Sequence, residues 1–252
     1  MTRARQPEKH YSYTAYADPA MAQSFERKRF GGPIGEYVAK TQARVLANMV
    51  GRIKDRPILD VGTGTGRAAI LMARGGARVT AVDASEQMLE AARRRAKDEG
   101  LFIKFVRGDA HALQFQAREF DVAICLRVLM HAPDWQTCLS ELCRVADRLV
   151  IFDYPSARSV ALFESATRRA AHTLGARTEA YRVLSDGAIR AALKASNFQV
   201  RSVHRQFVMP MQFHRLIGSR RFTTWSEDVL DRMGLLKLFG SPVTVVAERC
   251  GP

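Results

Sequence analysis

From residue 57 onward the chain alternates short apolar runs with stretches of helical period. Runs rich in Val, Ile and Phe at Pro57–Val61, Arg78–Asp83, Ile103–Gly108 and Phe120–Leu126 read as strands, followed by Arg148–Tyr154, Gln199–Val208 and Val243–Arg249. Between them apolar residues recur every three or four positions, which predicts helices over Gly66–Arg74, Glu86–Glu99, Trp135–Ala146, Ser159–Gly175 and Ser185–Ser196. Ahead of the first strand, Pro19–Arg29 and Glu36–Ile53 read as two more. Strands joined through helices return by crossovers, so the first five are expected to be parallel. The alternation specifies an α/β domain with helices on both faces of a sheet.

The rhythm breaks after the sixth strand. Helical patterns over 211–219 and 221–233 precede the last strand, and in the second one Phe222, Trp225, Val229 and Met233 fall on one face. Within one domain spanning 1–252, residues 1–35 and 209–240 are therefore additions to a minimal core whose ligand-binding half is 57–153. Such additions are expected to cap the crevice at the carboxyl ends of the strands, 1–35 as an N-terminal cap and 209–240 as a helical lid. The apolar stripe reads equally as a lid over an apolar ligand or as a helix packed onto the sheet. A third reading is contact with a membrane surface through Arg215, Arg220 and Arg221.

The densest chemical signal is Ile58-Leu59-Asp60-Val61-Gly62-Thr63-Gly64-Thr65-Gly66-Arg67. A buried strand runs into three alternate glycines with a helix start behind them, where free N–H groups and the positive dipole end suit a carboxylate or phosphate. A dinucleotide fingerprint read from Gly62 would need glycine where Arg67 stands, which disfavours a nicotinamide oxidoreductase. The next strand ends at Asp83, placed to accept hydrogen bonds from ribose hydroxyls, although Asp83 or Ser85 could also simply cap the following helix. The third ends near Asp109-Ala110, and the fourth runs Phe120-Asp121-Val122-Ala123-Ile124-Cys125-Leu126-Arg127-Val128-Leu129-Met130-His131.

Together these strand tips resemble the class I S-adenosylmethionine-dependent methyltransferases, in the branch acting on small molecules and lipid quinones. The resemblance covers 57–153 well and the remainder by architecture alone. It implies a seven-stranded Rossmann-like sheet, mostly parallel with an antiparallel last strand, and S-adenosylmethionine as cofactor. Asp60, Gly62, Thr63, Gly64 and Gly66 would form its first motif. Asp83 would hold the ribose, with Ala84 and Met88 flanking the adenine. Asp109 and Ala110 would read the adenine edge, with Leu126 also at the cofactor. Tyr16 lies in a segment that resembles the one folding over the cofactor in this family. Two departures stand out: no Asn/Asp-Pro-Pro-aromatic motif follows strand four, against methylation of nucleobase amines, and Val145-Ala146-Asp147-Arg148 replaces the usual Pro-Gly-Gly before strand five.

Methyl transfer from a sulfonium is an in-line displacement with a neutral leaving group, so alignment and exclusion of water matter more than a catalytic triad. A base is needed only where the acceptor must lose a proton. His131 is the candidate, against a structural role at a helix start. Arg127, Tyr154, Phe213 and Trp225 are candidate acceptor contacts. The expected reaction is methylation of an oxygen or carbon nucleophile on a small or lipid-like acceptor.

Composition changes this picture in one respect. Of 252 residues, 39 are basic and 25 acidic, a net charge of +14, with 31 arginines among the bases. That excess keeps RNA methylation open, as well as an anionic acceptor or membrane surface, though the charge is scattered in short clusters. A non-catalytic S-adenosylmethionine-binding module is the remaining alternative. Cys125, Cys138, Cys143 and Cys250 form no Cys-x-x-Cys pair, so reduced, buried thiols and no metal are expected. No apolar run reaches the ~20 residues of a membrane span, and the charged start leads into no apolar run, so a soluble, cytoplasmic protein is expected.

Overall fold

The computed structural model describes residues 30–159 and 182–251. The helix read over Pro19–Arg29, all but Ser159 of the one read over Ser159–Gly175, and Tyr16 lie outside the described residues, as does almost all of the 1–35 cap. Helix α1 (Gly32–Val50) leads into β1 (Pro57–Val61), α2 (Arg67–Arg74), β2 (Arg78–Asp83), α3 (Glu86–Asp98), β3 (Ile103–Arg107) and β4 (Phe120–Cys125). A single 3-10 turn, Leu129–His131, precedes α4 (Trp135–Val145) and β5 (Ala146–Tyr154). Then come α5 (Asp186–Ala195), β6 (Phe198–Phe207), α6 (Met211–Ile217), α7 (Arg220–Arg232), α8 (Leu235–Phe239) and β7 (Ser241–Arg249).

The seven strands form one sheet in the order β3-β2-β1-β4-β5-β7-β6. Pairings among β3, β2, β1, β4 and β5 are parallel, and β7 lies antiparallel between β5 and β6. This is the expected Rossmann-like α/β sheet with an antiparallel last strand. Its two-sided burial follows from period two. Ile58, Val122, Ile124, Leu149 and Ile151 pack on one face with Leu46 and Val50 of α1 and Ile70 and Met72 of α2. Leu59, Val61, Ala123, Cys125, Val150 and Phe152 pack on the other with Leu139 and Leu142 of α4 and Ile189 and Leu193 of α5. Cys125, Cys138 and Cys143 are buried and Cys250 half-buried, all unbridged.

Chain order places the crevice. After β1 the chain builds β2 and β3 outward on one side, then returns to build β4 and β5 on the other. The loops leaving β1 and β4 diverge, and the gap between them is where open α/β sheets bind ligands. The boundaries of α1 differ from the sequence reading by several residues. Pro33 in the first turn starts the helix earlier, and Gly51, at φ +74°, ends it before Ile53.

The departure before strand five has a structural explanation. Helix α4 passes directly into β5, and its end carbonyls are capped from elsewhere in the sheet. Arg249 on β7 donates to the carbonyls of Cys143 (2.7 Å), Ala146 (2.6 Å) and Asp147 (3.0 Å). Arg148 grips Asp121 on the neighbouring β4 through two bonds of 3.0 and 2.7 Å, which hold the Asp121 carboxyl below the usual carboxylate range. A glycine turn is thereby replaced by two arginine clamps.

Candidate active site

A cavity of about 1390 Å3, solvent at its mouth included, opens at the carboxyl ends of β1, β2 and β4 and of the segment after β3. Its floor is the β1–α2 loop. Gly62, Gly64 and Gly66 all have positive φ (+67°, +55° and +83°). At Gly62 a Cβ would stand 2.2 Å from Cγ2 of Val128, so the loop can pass under the β4 tip only without a side chain. At Gly64 a Cβ would meet no atom within 4 Å, so that glycine leaves its main chain open.

Three carboxylates organise the walls. Asp60, 2% exposed, accepts from the Thr63 hydroxyl (2.6 Å) and the Ala69 N–H (3.1 Å), tying the loop to the first turn of α2. Burial raises its carboxyl to about 6, against the pull of those two bonds. Asp83 accepts from the N–H groups of Gly64 (2.7 Å) and Ser85 (2.9 Å), so the β2 tip is fastened to the glycine loop. Burial lifts its carboxyl above the ordinary range while those N–H groups hold it down. The helix cap proper is Ser85, whose hydroxyl accepts from the Met88 N–H at 3.2 Å. The third, Asp109, accepts from the main-chain N–H of His111 (2.9 Å) and sits 2.7 Å from its Nδ1, which places the ring proton on Nδ1.

At the opposite wall the β4 tip turns sharply. Arg127 holds φ +64°, a conformation costly for a residue with a side chain. Its N–H donates to Asp153 at the end of β5, and its guanidinium opposes the rise that burial imposes on that carboxyl. Val128 and His131 follow into the cavity wall, His131 being 6% exposed with its N–H on the Val128 carbonyl.

The structure gathers most of the residues singled out in the sequence. Asp60, Gly62, Thr63, Gly64, Asp83, Ala84, Met88, Asp109, Ala110, Leu126, Arg127 and His131 line the cavity. Gly66 stands just behind, where a Cβ would press on Ala92 of α3 at 3.0 Å. Three acceptor candidates lie elsewhere. Tyr154 is buried in the core and donates to Asp186 of α5 at 2.9 Å, which Arg205 also holds. Phe213 and Trp225 are 42% and 64% exposed and line no part of the cavity.

Neither does any other residue of 209–240, the segment expected as a lid. Its helices α6 and α7 contact α1. Helix α1 turns Ala39, Gln42, Ala43 and Leu46 toward the cavity, while Tyr37, on its far side, meets Phe207 and the guanidinium of Arg220. Sequence reasoning missed the cavity face of α1, although Ala39, Ala43 and Leu46 at helical spacing carried a signal. It also missed His111 and Arg67, whose guanidinium stacks 3.9 Å over the Phe30 ring at the cavity rim.

Comparison with known proteins fits this geometry. Residues 58–148 match the family model described as a methyltransferase domain. Their strand order, glycine loop and acidic strand tips identify the family. This core is a class I S-adenosylmethionine-dependent methyltransferase domain. The methyltransferase core is 39% identical over 94 residues to a ubiquinone biosynthesis O-methyltransferase of Shewanella sp. (strain ANA-3), a match covering 37% of this chain and 40% of that protein. The chain thus spans well under half the length of that curated relative. Among solved structures, the magnesium protoporphyrin IX methyltransferase of Synechocystis PCC 6803 with bound SAH shares the fold at TM-score 0.64 and 21% identity, over 94% of this chain and 99% of that one. A [4+2]-cyclase, SpnF, shares it at TM-score 0.61 and 18% identity, over 84% and 82%.

The donor set suits the family's cofactor. The open main chain at Gly64, a buried acid at the β2 tip and a half-buried acid after β3 offer contacts for an amino-acid end, a ribose and a base. No helix among the described residues is long and apolar enough to cross a membrane.

Proposed function

We propose that the chain binds S-adenosylmethionine in this cavity and methylates an oxygen or carbon nucleophile of a small or lipid-like acceptor. The observation that carries the reading is the joining of three successive strand tips, Asp60 to Gly64, Asp83 and Asp109-Ala110, around one cavity. In this reading the Gly62–Gly66 loop takes the methionine end, Asp83 the ribose, Ala84 and Met88 the faces of the adenine, and Asp109 with the Ala110 N–H its edge. When bound, S-adenosylmethionine supplies an electrophilic methyl group on a sulfonium. The protein aligns the acceptor with that methyl and keeps water out, the part played by Leu126, Val128 and the small residues of α1.

For an acceptor hydroxyl, His131 takes the proton as the oxygen becomes nucleophilic, and Arg127 at the same wall draws an acidic acceptor toward it. Similarity to a ubiquinone biosynthesis O-methyltransferase supports the acceptor class.

Because a cyclase shares the fold, methyl transfer itself has to be detected. The test is incubation with a cell extract and S-adenosylmethionine labelled in its methyl group. Label is expected in the small-molecule or lipid fraction. Label confined to RNA would replace the acceptor class, and none in any fraction would remove the activity. With the acceptor in hand, His131→Ala should lose about 10²–10⁴-fold in kcat and the limb of the pH–rate profile set by the base.

A further inference from the structure

Helix α7 turns polar side chains inward and apolar ones outward. Thr223, Ser226 and Glu227 face the protein and are buried, while Trp225 and Met233 are 64% and 67% exposed, on one stripe with Phe222 and Val229. The inward polar face has a structural cause. Glu227 accepts from the N–H groups of Val208 (2.8 Å) and Met209 (3.1 Å) at the end of β6, and lies 2.8 Å from Nε2 of the fully buried His214. The Thr223 hydroxyl lies 3.1 Å from the other nitrogen of that ring. Rolling the apolar stripe inward would strand a buried carboxylate and imidazole, so the network fixes the rotation of α7 and holds the stripe out.

The stripe is part of a wider patch. Phe213 of α6, Phe222 and Trp225 form a chain of rings 6.2 Å apart, and Leu216 of α6 and Leu238 of α8 are 84% and 53% exposed. The same three helices carry Arg215, Arg220, Arg221, Arg232 and Lys237, all exposed, against the exposed acids Asp228 and Asp231. On the helical wheel Arg221 and Arg232 border the stripe. Apolar side chains with an outward tryptophan, rimmed by arginines, match the interface between lipid headgroups and acyl chains, where arginine stems extend to reach phosphate. Excess positive charge adds attraction to an anionic surface. A second copy seated symmetrically on this face would set the same cations against each other.

We propose that α6, α7 and α8 dock the protein on anionic lipid bilayers, with Leu216, Trp225 and Met233 entering the headgroup boundary. The inference stands apart from the catalytic reading, since none of these residues lines the cavity.

The test is co-sedimentation of the full chain with vesicles of phosphatidylcholine containing phosphatidylglycerol, against phosphatidylcholine alone, at low and high salt. Binding to the anionic vesicles is expected, weakening with salt, with a blue shift of Trp225 emission that Trp225→Phe removes. Trp225→Ser/Met233→Ser and, separately, Arg221→Glu/Arg232→Glu should each lower partition about tenfold or more. Both pairs should keep the wild-type Tm, because the side chains are exposed. Absence of binding to anionic vesicles would overturn the proposal, as would equal binding by both double variants. A dimer in solution that Trp225→Ser/Met233→Ser disperses would also overturn it, by assigning the face to a second copy.

Discussion

Single carboxylates here hold the loop as well as offering contacts to a ligand. Asp60 is the clearest case, because it is 2% exposed and accepts from both Thr63 and Ala69. Its carboxyl titrates near 6 in the folded chain, against ~3.9 when unfolded. A raised folded value means that the native state holds the proton more tightly. The stabilisation is whole below about pH 4 and is lost as pH rises through 6. The gap corresponds to ~3 kcal/mol. Asp60→Asn keeps an oxygen for Thr63 and Ala69 but has no proton to lose. Its stability relative to wild type, read from urea midpoints, should therefore rise by up to about 3 kcal/mol between pH 4 and pH 7. A pH-independent difference would mean that burial imposes no such cost. Asp83 and Asp109 were legible as strand-tip acids in the sequence. That His111 would fasten onto Asp109 was not, since a histidine two residues on from an acid has no distinctive pattern.

Elements were legible wherever local signals and burial agreed. Strands β1 and β2 begin and end where their apolar runs do, and Ser85, Asp134 and Ser185 cap helices as their residue types suggest. Short α8 escaped notice because five residues carry no period. The direction of the α7 stripe escaped as well: Phe222, Trp225, Val229 and Met233 give the same pattern whether the face looks in or out. What decides it is the long-range pairing of Glu227 with His214 and the end of β6. Long-range pairing also explains the missing glycine turn before β5. Arg249→Ala should leave three carbonyls at the junction of α4 and β5 without this donor, costing about 2 kcal/mol, and Arg249→Lys less. On a chain of this size that is ~4–8 °C in Tm. An unchanged Tm for Arg249→Ala would show that water caps those carbonyls equally well.

At the scale of the molecule, the parallel run of the first five strands was readable because strands joined through helices return by crossovers. Placement of the added segments was not. The 209–240 region packs against α1 rather than over the cavity, so α1 touches both. One face of that helix shapes the ligand site and the other carries the outward-facing helices, a division that no local pattern announces. The central claim is that the tips of β1, β2 and β3 form a single nucleoside-binding cradle. Isothermal titration of S-adenosylhomocysteine into wild type and Asp83→Ala, with NAD as control, tests it most directly. The account predicts one site per chain for S-adenosylhomocysteine, no heat of binding for NAD, and at least about tenfold weaker binding in Asp83→Ala as two hydrogen bonds to ribose are lost. Equal affinity in the variant, or no binding to wild type, would contradict it.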